Sequence, residues 1–145
     1  MGNSVMVDFN KQFLPTFEFS LKKIDYRMLD ITDSSSEKKL NCTDIVHAEL
    51  TDNSHVKIEY TRELQFETND VFYLAVVFEA IFTVNEDSDL KIDWEKTDIS
   101  SEFVKKPPEA FSIITSRTSL LIAQITSSYG QPPLITPPTF VRNED

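Results

Sequence analysis

The chain has 145 residues, 40% of them hydrophobic, and a formal net charge of −10 with a pI near 4.6. That length suits a single domain over residues 1–145, burying roughly 70% of its unfolded surface. The acidic balance repels phosphate backbones and anionic membranes, so no nucleic-acid partner and no membrane insertion are expected; it favours solubility and basic partners.

The first residues, MGNSVMVDFNKQ, have no basic region followed by an apolar core, and residues 1–12 read as a loose leader without an export signal. Gly2 invites a myristoylation reading, but that motif wants Ser or Thr where Met6 stands. Next comes FLPTFEFSLKKIDYRMLDI. Phe17, Phe19 and Leu21 alternate at period two, and Ile24, Tyr26 and Met28 resume on the other parity. A phase shift at Lys22-Lys23 is what a β-bulge produces, so one long bent strand is expected over about residues 16–31.

The stretch TDSSSEKKLN is polar and turn-like, and DIVHAELTDN reads as either a short strand segment or a loop. Asn41-Cys42-Thr43 has glycosylation spacing, but without an export signal it reads as ordinary sequence. Cys42 is the single cysteine, which excludes an internal disulfide and fits a reducing, cytoplasmic setting. HVKIEYTRELQFE is a clear strand, with Val56, Ile58 and Tyr60 on one face and Lys57, Glu59 and Thr61 on the other. Thr68-Asn69-Asp70 makes a tight connection to VFYLAVVFEAIFTV, Val71 to Val84. This run is too short for a membrane helix, which needs about 20 apolar residues. As a strand it spans ~45 Å and is apolar on both faces. A chain of this size has too little sequence to cover both, so burial against another subunit is expected.

After the acidic turn NEDSD, LKIDWE places Leu90, Ile92 and Trp94 on one face and reads as a fourth strand over residues 90–95. Pro107-Pro108-Glu109 starts a helix and Gly130 stops it. Its Ser and Thr content gives poor intrinsic propensity, so packing on the sheet must hold it. Residues 131–145 form a proline-rich extended tail, in which QPPLITPPTFV can be neither helix nor central strand. The order of elements argues for an α+β fold, a four-stranded antiparallel sheet followed by a long helix.

Catalytic chemistry is sparse. Gly2 and Gly130 are the only glycines, which excludes a phosphate-cradling loop or dinucleotide fingerprint. His47, His55 and Cys42 match no common metal or nucleophile spacing. No enzyme activity, metal or cofactor is expected.

Residues His55–Val84 resemble the second and third strands of the SecB family of bacterial export chaperones, in which an apolar–charged alternation and a short acidic turn lead into a long valine-rich strand. RTSLLIAQITSSYGQPPLITPPTF is similar to the end of that family's long helix and the loop after it. The matching residues are Arg117, Gly130, Pro132 or Pro133, Leu134, Ile135, Pro137 or Pro138, and Phe140. The bent first strand also fits.

The resemblance implies a homo-oligomer, a dimer of dimers with helices between the sheets. It also implies an ATP-independent, cytoplasmic holdase that binds unfolded or partly folded polypeptides and hands them to the SecA motor for export. It assigns client binding to Val56, Ile58, Tyr60, Leu134, Ile135 and Phe140. Asp30 and Asp93 become the SecA-like contacts, and Phe72, Leu74, Val76, Phe78, Ile122 and Ile125 the oligomer interface. The sequence departs from the pattern in three places. VRNED stands where the family's second helix and acidic tail begin, the linker from Thr32 to Ser54 is longer, and Trp94 to Pro107 is shorter and lacks glycines. These departures keep two alternatives open: a dedicated SecB-like chaperone of one partner, such as an antitoxin or a phage or secretion protein, and a structural or adaptor oligomer.

Overall fold

The computed structural model describes residues 7–32, 37–88, 91–128, 130 and 132–142. One helical turn, α1 (Phe9–Gln12), leads into β1 (Phe13–Met28), β2 (Leu40–Asp52), β3 (His55–Phe66) and β4 (Phe72–Val84). A 3-10 turn (Trp94–Lys96), α2 (Ile99–Lys105) and α3 (Phe111–Ser128) follow. The strands make one antiparallel sheet in the order β1-β4-β3-β2. This is the α+β architecture that the sequence implies, with a different fourth strand.

Register follows from the apolar alternation. Val56 pairs with Phe82, Ile58 with Ala80, Tyr60 with Phe78 and Leu64 with Leu74, and all eight are buried on the inner face. Phe13, Phe9, Phe103 and Phe111 pack above them. Phe13 stacks on Phe82 at 4.9 Å, and Phe103 meets Phe111 edge-on at 4.9 Å. The bulge falls at Lys22: Leu21 pairs with Phe78 and Lys23 with Val77. That extra residue keeps Phe17, Phe19 and Leu21 on the same face as Ile24, Tyr26 and Met28.

Residues 91–96 form no strand. The alternation of Ile92 and Trp94 is too short to hold an edge, and Trp94 instead stacks on Phe13 and Phe9, at 5.8 and 6.3 Å. Leu90 lies outside the described residues. The fourth strand is β2, the stretch that read ambiguously as strand or loop. Its inner row includes a carboxylate, Asp44, opposite Arg62 of β3, and that interrupted the apolar signal. Part of the expected loose leader is folded: α1 buries Phe9 and Gln12, and the Asp8 side chain caps it by accepting Asn10 N–H at 3.1 Å. The shortened stretch before Pro107 holds α2, capped by Asp98. There Ser100 Oγ accepts the Ala48 N–H at 2.7 Å and donates to the Ala48 carbonyl at 3.3 Å, so α2 closes the β2 edge at that point.

The second face of β4 finds its cover within the chain. Tyr73, Val77 and Ile81 are half-buried and Ala75 is buried, flanked by long side chains from β1 and β3. Lys22 reaches Glu79 at 2.8 Å, Lys57 bridges Glu79 at 3.8 Å and Glu49 at 3.1 Å, and Arg27 lies 5.0 Å over the Tyr73 ring. Their aliphatic stems cover apolar surface while the charges stay in water. A second subunit is therefore not required to account for the apolar run.

The β3–β4 turn carries two left-handed residues, Asn69 (φ 53°) and Val71 (φ 69°). Such a conformation in a β-branched residue persists only where its surroundings fix it. Asp70, fully buried, does so: it accepts from Lys38 at 2.6 Å, from Thr32 N–H at 3.0 Å and from Thr68 Oγ1. Asp70→Ala is expected to cost about 3 kcal/mol by denaturant unfolding, because it removes a buried carboxylate that a largely buried ammonium and the Thr32 N–H bond. Glu79 gives a second prediction. Its hydrogen bond from Lys22 holds its carboxyl below the usual glutamate range. A lowered folded-state pKa contributes stability that is present above the unfolded value and lost as pH falls through the folded one. Glu79→Gln should therefore flatten the acid side of a melting-temperature profile.

Candidate functional site

Arg62 lies mid-strand in β3, on the inner face between Asp44 and Val76. Both members of the Arg62–Asp44 pair are 0% exposed. Arg62 Nε and Nη2 donate to the two Asp44 oxygens at 2.8 Å each. The other donors serve the segment beyond α3: Nη1 reaches Thr136 Oγ1 at 3.0 Å and the Pro137 carbonyl, and Nη2 reaches the Thr139 carbonyl at 2.9 Å. Every N–H of the guanidinium fork is used. Asp44 Oδ2 also accepts the Val141 N–H at 2.7 Å. Burial works against the cation, yet the hydrogen bonds to Asp44 hold the Arg62 pKa above its ordinary value. Burial pushes up the neighbouring Tyr60 hydroxyl, with the Asp44 charge adding to it, and burial also raises the Cys42 thiol.

Residues 132–142 form a strap that runs back along α3. Leu134 N–H donates to Thr126 Oγ1 at 2.8 Å, Ser119 Oγ donates to the Thr136 carbonyl at 2.7 Å, and Phe140 sits 6.3 Å from the rings of Phe111 and Tyr60. From Leu134 to Phe140 an extended chain covers about 20 Å at ~3.3 Å per residue. The part of α3 between Thr126 and Phe111 has nearly the same length at ~1.5 Å per residue. The prolines keep the strap extended and remove backbone donors that would pair it as a strand. Two of the hydroxyls that weaken α3 as a helix, those of Ser119 and Thr126, hold the strap.

Two apolar surfaces stay open. On the inner face of β1, Phe19, Leu21 and Ile24 are exposed and Met28 is 71% exposed. On the outer side of α3, Ile113 and Leu120 are exposed, two turns apart on one ridge.

The residues expected to bind a client divide. Val56, Ile58 and Tyr60 are buried, Tyr60 against Phe111 of α3 and Phe140 of the strap, so they form core and present no surface. Leu134, Ile135 and Phe140 share the strap, with Leu134 and Phe140 half-buried and Ile135 76% exposed. Of the expected interface, Phe72, Leu74, Val76, Phe78 and Ile122 lie in the protomer core, and Ile125 is half-buried against it. Asp30 and Asp93 are both exposed; Asp30 follows β1 and Asp93 precedes the 3-10 turn, so neither lies on the sheet. His47 is exposed opposite Glu59, His55 pairs with Asp52 at 2.9 Å, and Cys42 lies on the inner row, so these three do not converge. Arg62 was missed as a tether, although it shares the parity of Val56, Ile58 and Tyr60, which is the one sign in the sequence that it points inward.

The fold and the strap together define a SecB-like protein fold, and comparison with solved structures bears this out. A SecB-like chaperone from Mycobacterium tuberculosis, solved with a ChAD peptide from the HigA1 antitoxin, superposes with a TM-score of 0.59 at 12% identity, over 83% of this chain and 86% of that chain. A protein of unknown function from Streptococcus agalactiae gives a TM-score of 0.38 at 9% identity, over 84% of this chain and 98% of that one. No protein-family model and no curated protein matches the sequence. Among the described residues, no helix is long and apolar enough to cross a membrane.

Arg62→Met or Asp44→Leu alone is expected to cost about 3–5 kcal/mol in denaturant unfolding, since either strands a buried charge. The double variant should recover only part of this loss, because the strap carbonyls and the Val141 N–H stay unpaired.

Proposed function

We propose that the protein is a dedicated chaperone that holds an extended segment of one partner polypeptide and works as a homo-oligomer in the cytoplasm. The observation that carries the reading is the open apolar surface on a SecB-like fold. The rows on β1 and α3 lie uncovered in a chain that is otherwise strongly charged. Contiguous apolar surface of this kind marks association. We assign the β1 row and the α3 ridge to contacts between copies, in place of the core residues that the sequence suggested. The partner segment then runs beside the strap, where Ile135 stands clear of the fold. The M. tuberculosis neighbour, solved with an antitoxin peptide, supports a partner that is a polypeptide and favours a dedicated client over the whole range of exported proteins. Holding a chain in this way needs burial of apolar surface, at about 25 cal/mol per Å², and no catalytic group or cofactor.

The test combines mass in solution with suppression of aggregation. Leu21→Asp with Ile24→Asp should lower the mass from oligomer to monomer. Ile135→Asp should keep the oligomer and weaken client capture at least tenfold. Across a panel of unrelated unfolded proteins, suppression restricted to few of them is the expected result. Suppression of all of them would make it a general export holdase, with SecA the next partner to assay. No suppression, from a stable oligomer, would leave a structural subunit.

A further inference from the structure

The strap is held as a ligand is held. Its bonds to the rest of the protein run through main-chain atoms: Leu134 N–H, the carbonyls of Thr136, Pro137 and Thr139, and Val141 N–H. Two strap side chains add to these: the Thr136 hydroxyl accepts from Arg62, and Arg142 donates to the Lys105 carbonyl at 2.8 Å. Main-chain groups are common to every polypeptide, so the partners on the other side do not read strap sequence. Side-chain reading falls on Leu134 and Phe140, both half-buried, and on Thr136, which is buried with its hydroxyl on Arg62, while Ile135, Pro137, Pro138 and Thr139 face outward. A cavity of about 360 Å³ adjoins Phe140, lined by Pro107, Pro108, Phe111, Thr115 and Arg142 among others. The site at that end is larger than the ring that occupies it.

We propose that the cradle of Asp44, Arg62, Ser119 and Thr126 is a binding site for an extended polypeptide segment, filled in this structure by residues 134–141, which a partner segment enters by displacing them. The proposal rests on the polypeptide-binding reading above. The occupant it fits is an extended segment with backbone N–H groups where Leu134 and Val141 place theirs. It carries large apolar side chains at the Leu134 and Phe140 positions, the second able to be bulkier than phenylalanine, and a small hydrogen-bond acceptor such as a hydroxyl at the Thr136 position. Two physical consequences follow. Arg62 and Asp44 are buried, so an empty cradle would leave charged donors and acceptors unpaired; the strap leaves only as another chain replaces it. The strap is also tethered to α3 through Gly130, which gives it an effective concentration of the order of millimolar. A generic unfolded segment does not compete with that, whereas a partner that also contacts the protein outside the cradle does. The strap thus filters partners, in keeping with a dedicated client.

The probe is the strap itself, a fluorescein-labelled synthetic peptide with the sequence of residues 132–142, titrated against the full-length protein. Phe140→Ala and Leu134→Ala weaken the tethered strap and leave the cradle intact. Each variant is expected to bind the peptide at least tenfold more tightly than the unmodified chain does, with Leu134→Ala carrying the test if Phe140→Ala fails to fold. In the unmodified protein, saturating peptide should remove the hydrogen-exchange protection of the Leu134 and Val141 amides while β3 and β4 stay protected. Equal affinity for all three proteins, or no binding to any, overturns the proposal. Binding that leaves the strap amides protected also overturns it, since the peptide then sits elsewhere. The chaperone reading fails separately, by absence of client protection in the aggregation assay.

Discussion

The structure turns on one buried ion pair. Arg62 and Asp44 sit on neighbouring strands in the middle of an otherwise apolar face, and neither touches water. An apolar pair of similar volume would avoid the desolvation cost, so the pair earns its place by what it specifies. Its geometry links three parts of the chain that are distant in sequence. The bidentate contact fixes β2 against β3, and the spare donors and acceptor fix the strap over both. A slip of one residue in β2 would turn Asp44 to the outer face and leave Arg62 without its counter-charge. The pair thus sets register as well as closing the fold.

Around it, cover is distributed unevenly. The inner face of β3 and β4 lies under aromatic rings from α1, α2 and α3, while the inner face of β1 extends past them into the open. Among the described residues no helix shields the outer face, which depends on lysine and arginine stems from adjacent strands. The helix most important to the inner layer, α3, is poor in intrinsic propensity. Its threonines return their hydroxyls to the helix's own carbonyls, as Thr118 does to Ile114 and Thr126 to Ile122, so they can be buried without an unpaired group. Stability here comes from tertiary packing, and the helix is kept in place by the sheet beneath it and the strap beside it.

Much of this was legible in the residues. Alternation located β3, a continuous β-branched and aromatic run located β4, the phase change at Lys22-Lys23 located the bulge, and proline and glycine punctuation bounded α3 and the extended strap. The failures have physical causes. β2 was obscured because one of its inward positions is a carboxylate, and the rule that charges face water hid its parity. LKIDWE imitated a strand because three large apolar residues alternate there, yet the edge it needed is taken up by β2 and by Ser100. The expected binding face, Val56, Ile58 and Tyr60, has the right pattern for a groove and for a core alike. Burial decides for the core, with Phe140 of the strap set against Tyr60, and the tether that sets the path of the strap joins residues 74 or more positions apart in the chain.

The contact between Ser100 and Ala48 bears on how copies of the chain can add to one another. Both backbone groups of Ala48 are occupied by one hydroxyl, so an incoming strand cannot run the length of the β2 margin. The opposite margin, β1, carries Pro15 and a bulge, and its neighbours Lys22 and Lys23 are exposed. A sheet with one stoppered margin and one irregular margin has no way to propagate head to tail. Any pairing it makes through β1 is isologous and consumes the same margin on both partners. Growth by sheet extension therefore ends at two, which gives a sticky, apolar-edged protein a built-in protection against becoming a fibre.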